Sequence, residues 1–197
     1  MGLAILVAAM ALPTQQAVVN RMKVDEVIVL LCGIEFKESR TTLIAAAPEL
    51  ADQFRHMIDS PETGLLQRAR LYGVVADSKI DRKLFLPSAV RDLGHADVWV
   101  RMSACAFVGA VGTAADSAPL LVMLFDPKIQ AVYAATRSLA LIGDDRTVIA
   151  LDLWLRIHRR PADWAAGDMT IENAVIKSRD EIKARLAAAA KASPAPK

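Results

Sequence analysis

The sequence predicts an all-α protein in which helical hairpins stack into one continuous body, closed by a C-terminal capping helix. Three observations carry this expectation. Hydrophobic residues make up 54% of the chain while aromatics are only 5%. Burial therefore falls to small aliphatic side chains, which suit close helix–helix packing better than sheet packing. Nine glycines and nine prolines among 197 residues are too few for a disordered or fibrous chain. The third observation is internal repetition, the signature of stacked architectures.

The repetition is read by shifting the chain 31 positions. Val100 to Gly112 then superposes on Ala131 to Gly143, matching Ala104 with Ala135, Val108 with Leu139, Val111 with Ile142 and Gly112 with Gly143. The same shift carries Leu120 to Leu151 and Leu124 to Leu155. A fainter copy runs from Leu65 through Ala69, Tyr72 and Ala76 to Asp77. Within one copy, Val100, Ala104, Val108 and Val111 recur at helical spacing and make one apolar stripe. Ala104 and Ala135 are expected where a neighbouring helix approaches closely. Gly112 and Gly143 are expected to end their helices in the left-handed conformation. Asp97 is expected to cap the first helix of its hairpin, and Asp116 and Asp144 or Asp145 the second helices. A lone hairpin cannot bury its apolar face, so the copies must stack.

Upstream, Asp25 to Cys32 reads as a short helix ended at Gly33. Glu38 to Ala47 and Glu49 to Ile58 read as two more, separated at Pro48. Downstream, Pro161 to Gly167 reads as a linker. Thr170 is expected to cap a helix reaching about Ala190, and Ser193 to Lys197 reads as a disordered tail.

The pattern resembles the HEAT repeat, in the short form of the phycobilisome-lyase group. Asp97-Val98-Trp99-Val100-Arg101, then Ala104, then Val111-Gly112 follows that family's rhythm of aspartate, valine-arginine, alanine and isoleucine-glycine-aspartate. The next copy keeps Ala135 and Ile142-Gly143-Asp144 but has Val132 where the arginine belongs. The resemblance is strong over 95–157 and reaches back weakly to about 60. It implies a right-handed α-solenoid and identifies architecture far better than activity. The resulting division is an apolar segment at 1–20, HEAT-like repeats at 21–160, a linker and capping helix at 161–191, and a tail at 192–197.

Charge and cysteine usage narrow the function classes. The formal charge is +2, with nine Lys/Arg against five Asp/Glu in residues 156–197. A nucleic-acid binder normally shows a stronger basic stripe, so nucleic acid is not the expected partner. Cys32 and Cys105 both sit in apolar stretches and are expected to be buried thiols, with no Cys-x-x-Cys or Cys/His cluster to hold a metal. Leu3 to Leu12 is an unbroken apolar run of ten, followed by Pro13. That suits either an export signal or a capping helix and is far too short to span a bilayer. The location is accordingly cytoplasmic or exported.

Little in the chain points to chemistry. His95 is expected as an exposed turn residue before Asp97, His56 at the surface, and His158 in a basic turn with Arg156, Arg159 and Arg160. Gly109-x-x-Gly112 ends a helix and is no phosphate loop. Some HEAT-like DNA glycosylases hold a damaged base with tryptophans and an aspartate. Of Trp99, Trp154 and Trp164, however, Trp154 aligns with Met123, a position packed between helices.

The leading expectation is thus a monomeric scaffold or adaptor for a protein partner, without catalysis, metal or cofactor. The alternative is an enzyme or enzyme accessory on the same scaffold, a bilin-lyase-like subunit or a base-excision enzyme. HEAT stacks usually bind partners on the concave face lined by second helices. Position by position, that face is expected to hold Leu121, Val122 and Phe125. The 31-residue shift adds Asp152, Leu153 and Arg156, and a shift back by 35 adds Leu86, Pro87 and Val90.

Overall fold

The computed structural model describes residues 24–33, 36–158 and 171–192. The N-terminal run, the 161–167 linker, Trp164, Thr170 and the 193–197 tail lie outside them. Within them the protein is all-helical, with nine α-helices and no strand. They are α1 (Val24–Cys32), α2 (Phe36–Asp59), α3 (Leu65–Asp77), α4 (Leu86–Asp92), α5 (Val98–Val111), α6 (Ser117–Val122), α7 (Ile129–Ile142), α8 (Asp145–His158) and α9 (Ile171–Ala192). Short 3-10 turns at Arg82–Phe85, Ala114–Asp116 and Met123–Phe125 flank α4 and α6.

Packing follows a simple order. α5 lies between α3 and α7, α7 lies between α5 and α9, and α1, α2 and α3 pack on one another. α4 packs on α5, α6 on α7 and α8, and α8 on α9. The core runs through these contacts. Leu71, Tyr72 and Val75 come from α3, Ala104, Phe107 and Val108 from α5, Ala135 and Leu139 from α7, and Val175 and Ile182 from α9. Tyr72 and Phe107 meet with ring centroids 5.3 Å apart.

Three local expectations need correction. Pro48 does not divide two helices, because α2 runs unbroken through it. Leu43, Ala47, Leu50, Phe54 and Ile58 form one buried stripe across the proline. Burial of large side chains on both sides offsets the lost backbone hydrogen bond. Gly112 and Gly143 are not left-handed: their φ angles are −73° and −61°. Glycine is required there by space. A Cβ on Gly112 would lie 2.6 Å from the Val108 carbonyl oxygen. One on Gly143 would lie 2.7 Å from the Leu139 carbonyl oxygen and 2.8 Å from Ile182. Cys32 is exposed, its sulfur accepting a hydrogen bond from Gln67 Nε2 at 2.8 Å, whereas Cys105 is buried.

The caps follow the acidic turns. Asp97 Oδ1 accepts from the backbone N–H of Trp99 at 2.9 Å and Val100 at 3.2 Å. Asp144 Oδ1 accepts from Thr147 N–H at 3.0 Å and so opens α8. Asp116 instead closes a box with Thr113, accepting its N–H at 2.8 Å, and starts the 3-10 turn rather than α6. His95 is half-buried, its Nδ1 accepting the Asp97 N–H at 2.9 Å.

The turns are further joined by an ion pair. Arg101 on α5 reaches Asp126, before α7, through Nε at 2.7 Å and a second nitrogen at 2.8 Å. It also donates to the carbonyls of His95 and Ala96. Burial raises the Asp126 carboxyl, but these charge-assisted bonds outweigh it and hold the group below the usual carboxylate range.

Candidate functional site

α8 carries two apolar stripes. Val148, Leu151 and Trp154 face the core and are buried. Ile149, Leu153 and Ile157 recur every fourth residue, and about 100° per residue puts them together on the opposite side. They are 68%, 55% and 66% exposed. A soluble helix normally presents polar residues there. Arg146 lies one turn before Ile149 and two before Leu153, at the head of the same stripe, and Arg156 lies beside it.

The preceding hairpin continues the surface. Val122 is 71% exposed and Phe125 65%. The 31-residue shift places Val122 on Leu153 and Ala118, also exposed, on Ile149. α6 packs against α8, and the Phe125 ring lies 5.6 Å from His158, which itself stacks on Trp154 at 4.2 Å. Val122 and Phe125 therefore border the outer stripe of α8. Leu84, in the 3-10 turn before α4, is exposed as well.

The expected binding residues divide accordingly. Val122, Phe125 and Leu153 are exposed on this face, and Arg156 is exposed beside it, turned toward α9. Leu86, Val90 and Leu121 are half-buried and packed against the core. The back-shift of 35 fails at α4 because that helix has only seven residues and follows a 3-10 turn whose Phe85 is anchored inside. The outward positions become Leu84 and Pro87. Asp152 is half-buried at the joint with α9, where Arg179 reaches it at 3.0 Å and Lys183 at 3.5 Å. Burial raises its carboxyl, and the Arg179 bond and nearby cations bring it below the usual range. A cleft of about 420 Å³ lies along this joint, lined by Asp152, Leu155, Arg156, Glu172, Ile176 and Arg179. Ile149 and Ile157 escaped the sequence reading, although their four-residue spacing with Leu153 was the signal that marks them.

The buried polar groups lie elsewhere and tie helices together. Asp92 accepts from the Tyr72 hydroxyl at 2.8 Å and from Arg91 Nε at 3.0 Å, with Arg68 at 3.7 Å. Arg91 also pairs with Asp59 at 2.9 Å, and Ser88 donates to that carboxylate at 2.6 Å. Burial first, then the bond to Asp92, pushes the Tyr72 hydroxyl upward, so it stays a donor. This cluster joins α2, α3 and α4. No group of three or more His, Cys, Asp or Glu among the described residues is placed to hold a metal ion. No described helix is long and apolar enough to cross a membrane. No family model matches the chain, and no curated protein gives a significant match.

Proposed function

We propose that this chain is a HEAT-like right-handed α-solenoid that serves as a scaffold or adaptor. It binds a protein partner through its row of second helices and performs no catalysis of its own. Two features support the architecture. α5 and α7 are equal in length and related by the 31-residue shift at both ends. The first helices α3, α5 and α7 and the capping helix α9 each pack on the next.

The binding role rests on one observation: Val122, Phe125, Ile149, Leu153 and Ile157 are all more than half exposed and share one face. Keeping such groups in water forgoes about 25 cal/mol per Å² of burial. Contiguous exposed patches of this kind mark interaction sites more often than accidents. The test is parallel affinity capture from native cells with the parent chain and a Val122→Asp, Leu153→Asp double variant. Because both side chains point to solvent, the variant should melt like the parent and lose the captured protein. A partner retained equally by the folded variant would sink the proposal.

A further inference from the structure

Independently of the apolar face, we infer that α9 is a releasable end cap: it undocks from α7 and α8 as one unit, and an ionic clasp at Asp152 sets how often. The first argument is how little of α9 is buried. Only Val175, Ser178 and Ile182 of its 22 residues are buried, and one of the three is a serine. α5 and α7 each bury seven of 14. Ile171 and Leu186 pack half-buried against the core, and every residue from Lys183 to Ala192 other than Leu186 is exposed. Hydrophobic stabilisation scales with the apolar area removed from water, so α9 contributes little of it for the length of chain it orders. Elements with few buried apolar contacts open at free energies well below that of global unfolding.

The second argument is what holds the helix instead. Arg179 reaches Asp152 of α8 at 3.0 Å, and Lys183, one turn further along, reaches the same carboxylate at 3.5 Å. Arg185 donates to the Gly143 carbonyl and, at 3.5 Å, to that of Ala140, at the C-terminal end of α7. Three cationic side chains of α9 thus grip acceptors on its two neighbours, and the dipole of α7 favours a cation where Arg185 sits. Asp180 shares Arg179 at 2.8 Å, and Arg156 and Glu172, of opposite charge, line the cleft beside the joint. The side chains of Arg179, Asp152 and Lys183 are 23%, 33% and 49% exposed, so dissolved salt reaches the clasp. The screening length falls from about 10 Å at 0.1 M salt to about 3 Å at 1 M, which loosens these bonds and leaves the apolar packing of α5 on α7 in place.

The third observation shows what the helix closes. α3, α5 and α7 pack in succession, and α9 takes the next place in the row. Ile182 sits so close over the α7–α8 turn that a Cβ on Gly143 would lie 2.8 Å from its Cδ1. Release uncovers that turn and the side of α7 that would receive a further helix. Ionic strength therefore sets how often this end of the row stands open.

Native-state hydrogen exchange on the full chain, followed by NMR across low urea concentrations, reads the opening. The amides of Val175 and Ile182 should share one opening free energy and one urea slope, with protection at least about tenfold below that of Ala104 and Val108 in α5. Raising sodium chloride from about 0.05 M to about 0.5 M should lower protection in α9 and leave that of α5 unchanged. Asp152→Asn should lower α9 protection about two- to thirtyfold, the scale of two half-exposed ion pairs, and remove most of the salt response. Lys177→Ala removes the Lys177–Glu181 pair, which lies within α9, and should leave docking as it was. Protection in α9 equal to that in α5 overturns the inference, because the helix then opens only with the whole chain. Protection that falls steadily toward Ala192 with no common value also overturns it, being end fraying alone. An Asp152→Asn variant whose α9 exchanges like the parent's removes the clasp, and the inference with it.

Discussion

Gly109→Ala tests how α5 meets α7. A Cβ at Gly109 would lie 2.6 Å from Ser138 Cβ and 2.7 Å from Ser138 Cα. Carbon atoms rest at about 3.5–4.0 Å, so the overlap is about 1 Å. One of the two atoms is backbone, and Ser138 cannot turn aside because its hydroxyl donates to the Cys105 carbonyl at 2.7 Å. Relief requires the helices to part, and a gap of about 1 Å forfeits up to about half of the dispersion energy at every contact it opens. Overpacking of this kind costs about 1–3 kcal/mol, against a gain of about 1 kcal/mol from alanine's helix propensity. A net loss of up to about 2 kcal/mol follows, lowering the melting temperature by up to roughly 8 °C in a chain of this size. Gly73→Ala in α3 is the control. Beyond its chain neighbours and its own helix backbone, no atom lies within 4 Å of its added Cβ, so it should stabilise by about 0.5–1 kcal/mol. Urea unfolding with unchanged m-values reads both. Substitutions of equal sign would refute the close approach at Gly109.

Three further outcomes are expected. Asp126→Asn leaves the Arg101 guanidinium buried without its countercharge, their side chains being 6% and 10% exposed, and should cost about 3–5 kcal/mol in urea unfolding. The carboxyls of Asp59, Asp126 and Asp144 are all held below 3.8 in the folded state, which therefore binds fewer protons than the unfolded chain. Stability should be full above the unfolded value and fall as pH drops through the lower folded ones; a chain that gained stability on acidification would contradict this. Burial pushes the Cys105 thiol up to about 12, so a thiol reagent at neutral pH should modify Cys32 in the native protein and Cys105 only on unfolding. Equal native rates would count against the packing of α5.

Much of the helical frame was legible because it rests on spacing. The stripe Val100, Ala104, Val108 and the matching Ala131, Ala135, Leu139 placed α5 and α7, and Asp97 and Asp144 marked where their hairpins turn. Two signals misled for physical reasons. Pro48 is a strong local breaker, yet the stripe from Leu43 to Ile58 passes through it, and a continuous buried face outweighs one missing hydrogen bond. Gly112 and Gly143 look like left-handed caps in the sequence, but the constraint on them is steric and comes from the preceding turn and from Ile182, which no local pattern reveals.

The exposed apolar face was only partly legible because a sequence shift preserves position and not rotation. Asp145–His158 is one continuous α-helix, whereas its counterpart is divided into a 3-10 turn at Ala114–Asp116, α6 and a second 3-10 turn at Met123–Phe125. Pro119 lies near the start of α6 where Ala150 stands in α8, and it lacks the N–H that a continuous helix through this turn would use. A 3-10 residue advances about 120° and an α-helical one about 100°. Three residues of 3-10 helix therefore swing later side chains by roughly 60° relative to the other copy. Phe125 consequently borders the stripe of α8 from its own helix, while its aligned position Arg156 turns toward the α9 cleft. Ile157, whose aligned partner Asp126 is turned inward to Arg101, takes the outward place instead. Equal spacing in sequence thus yields a continuous apolar face built from unequal positions, which only the helix forms of the two hairpins reveal.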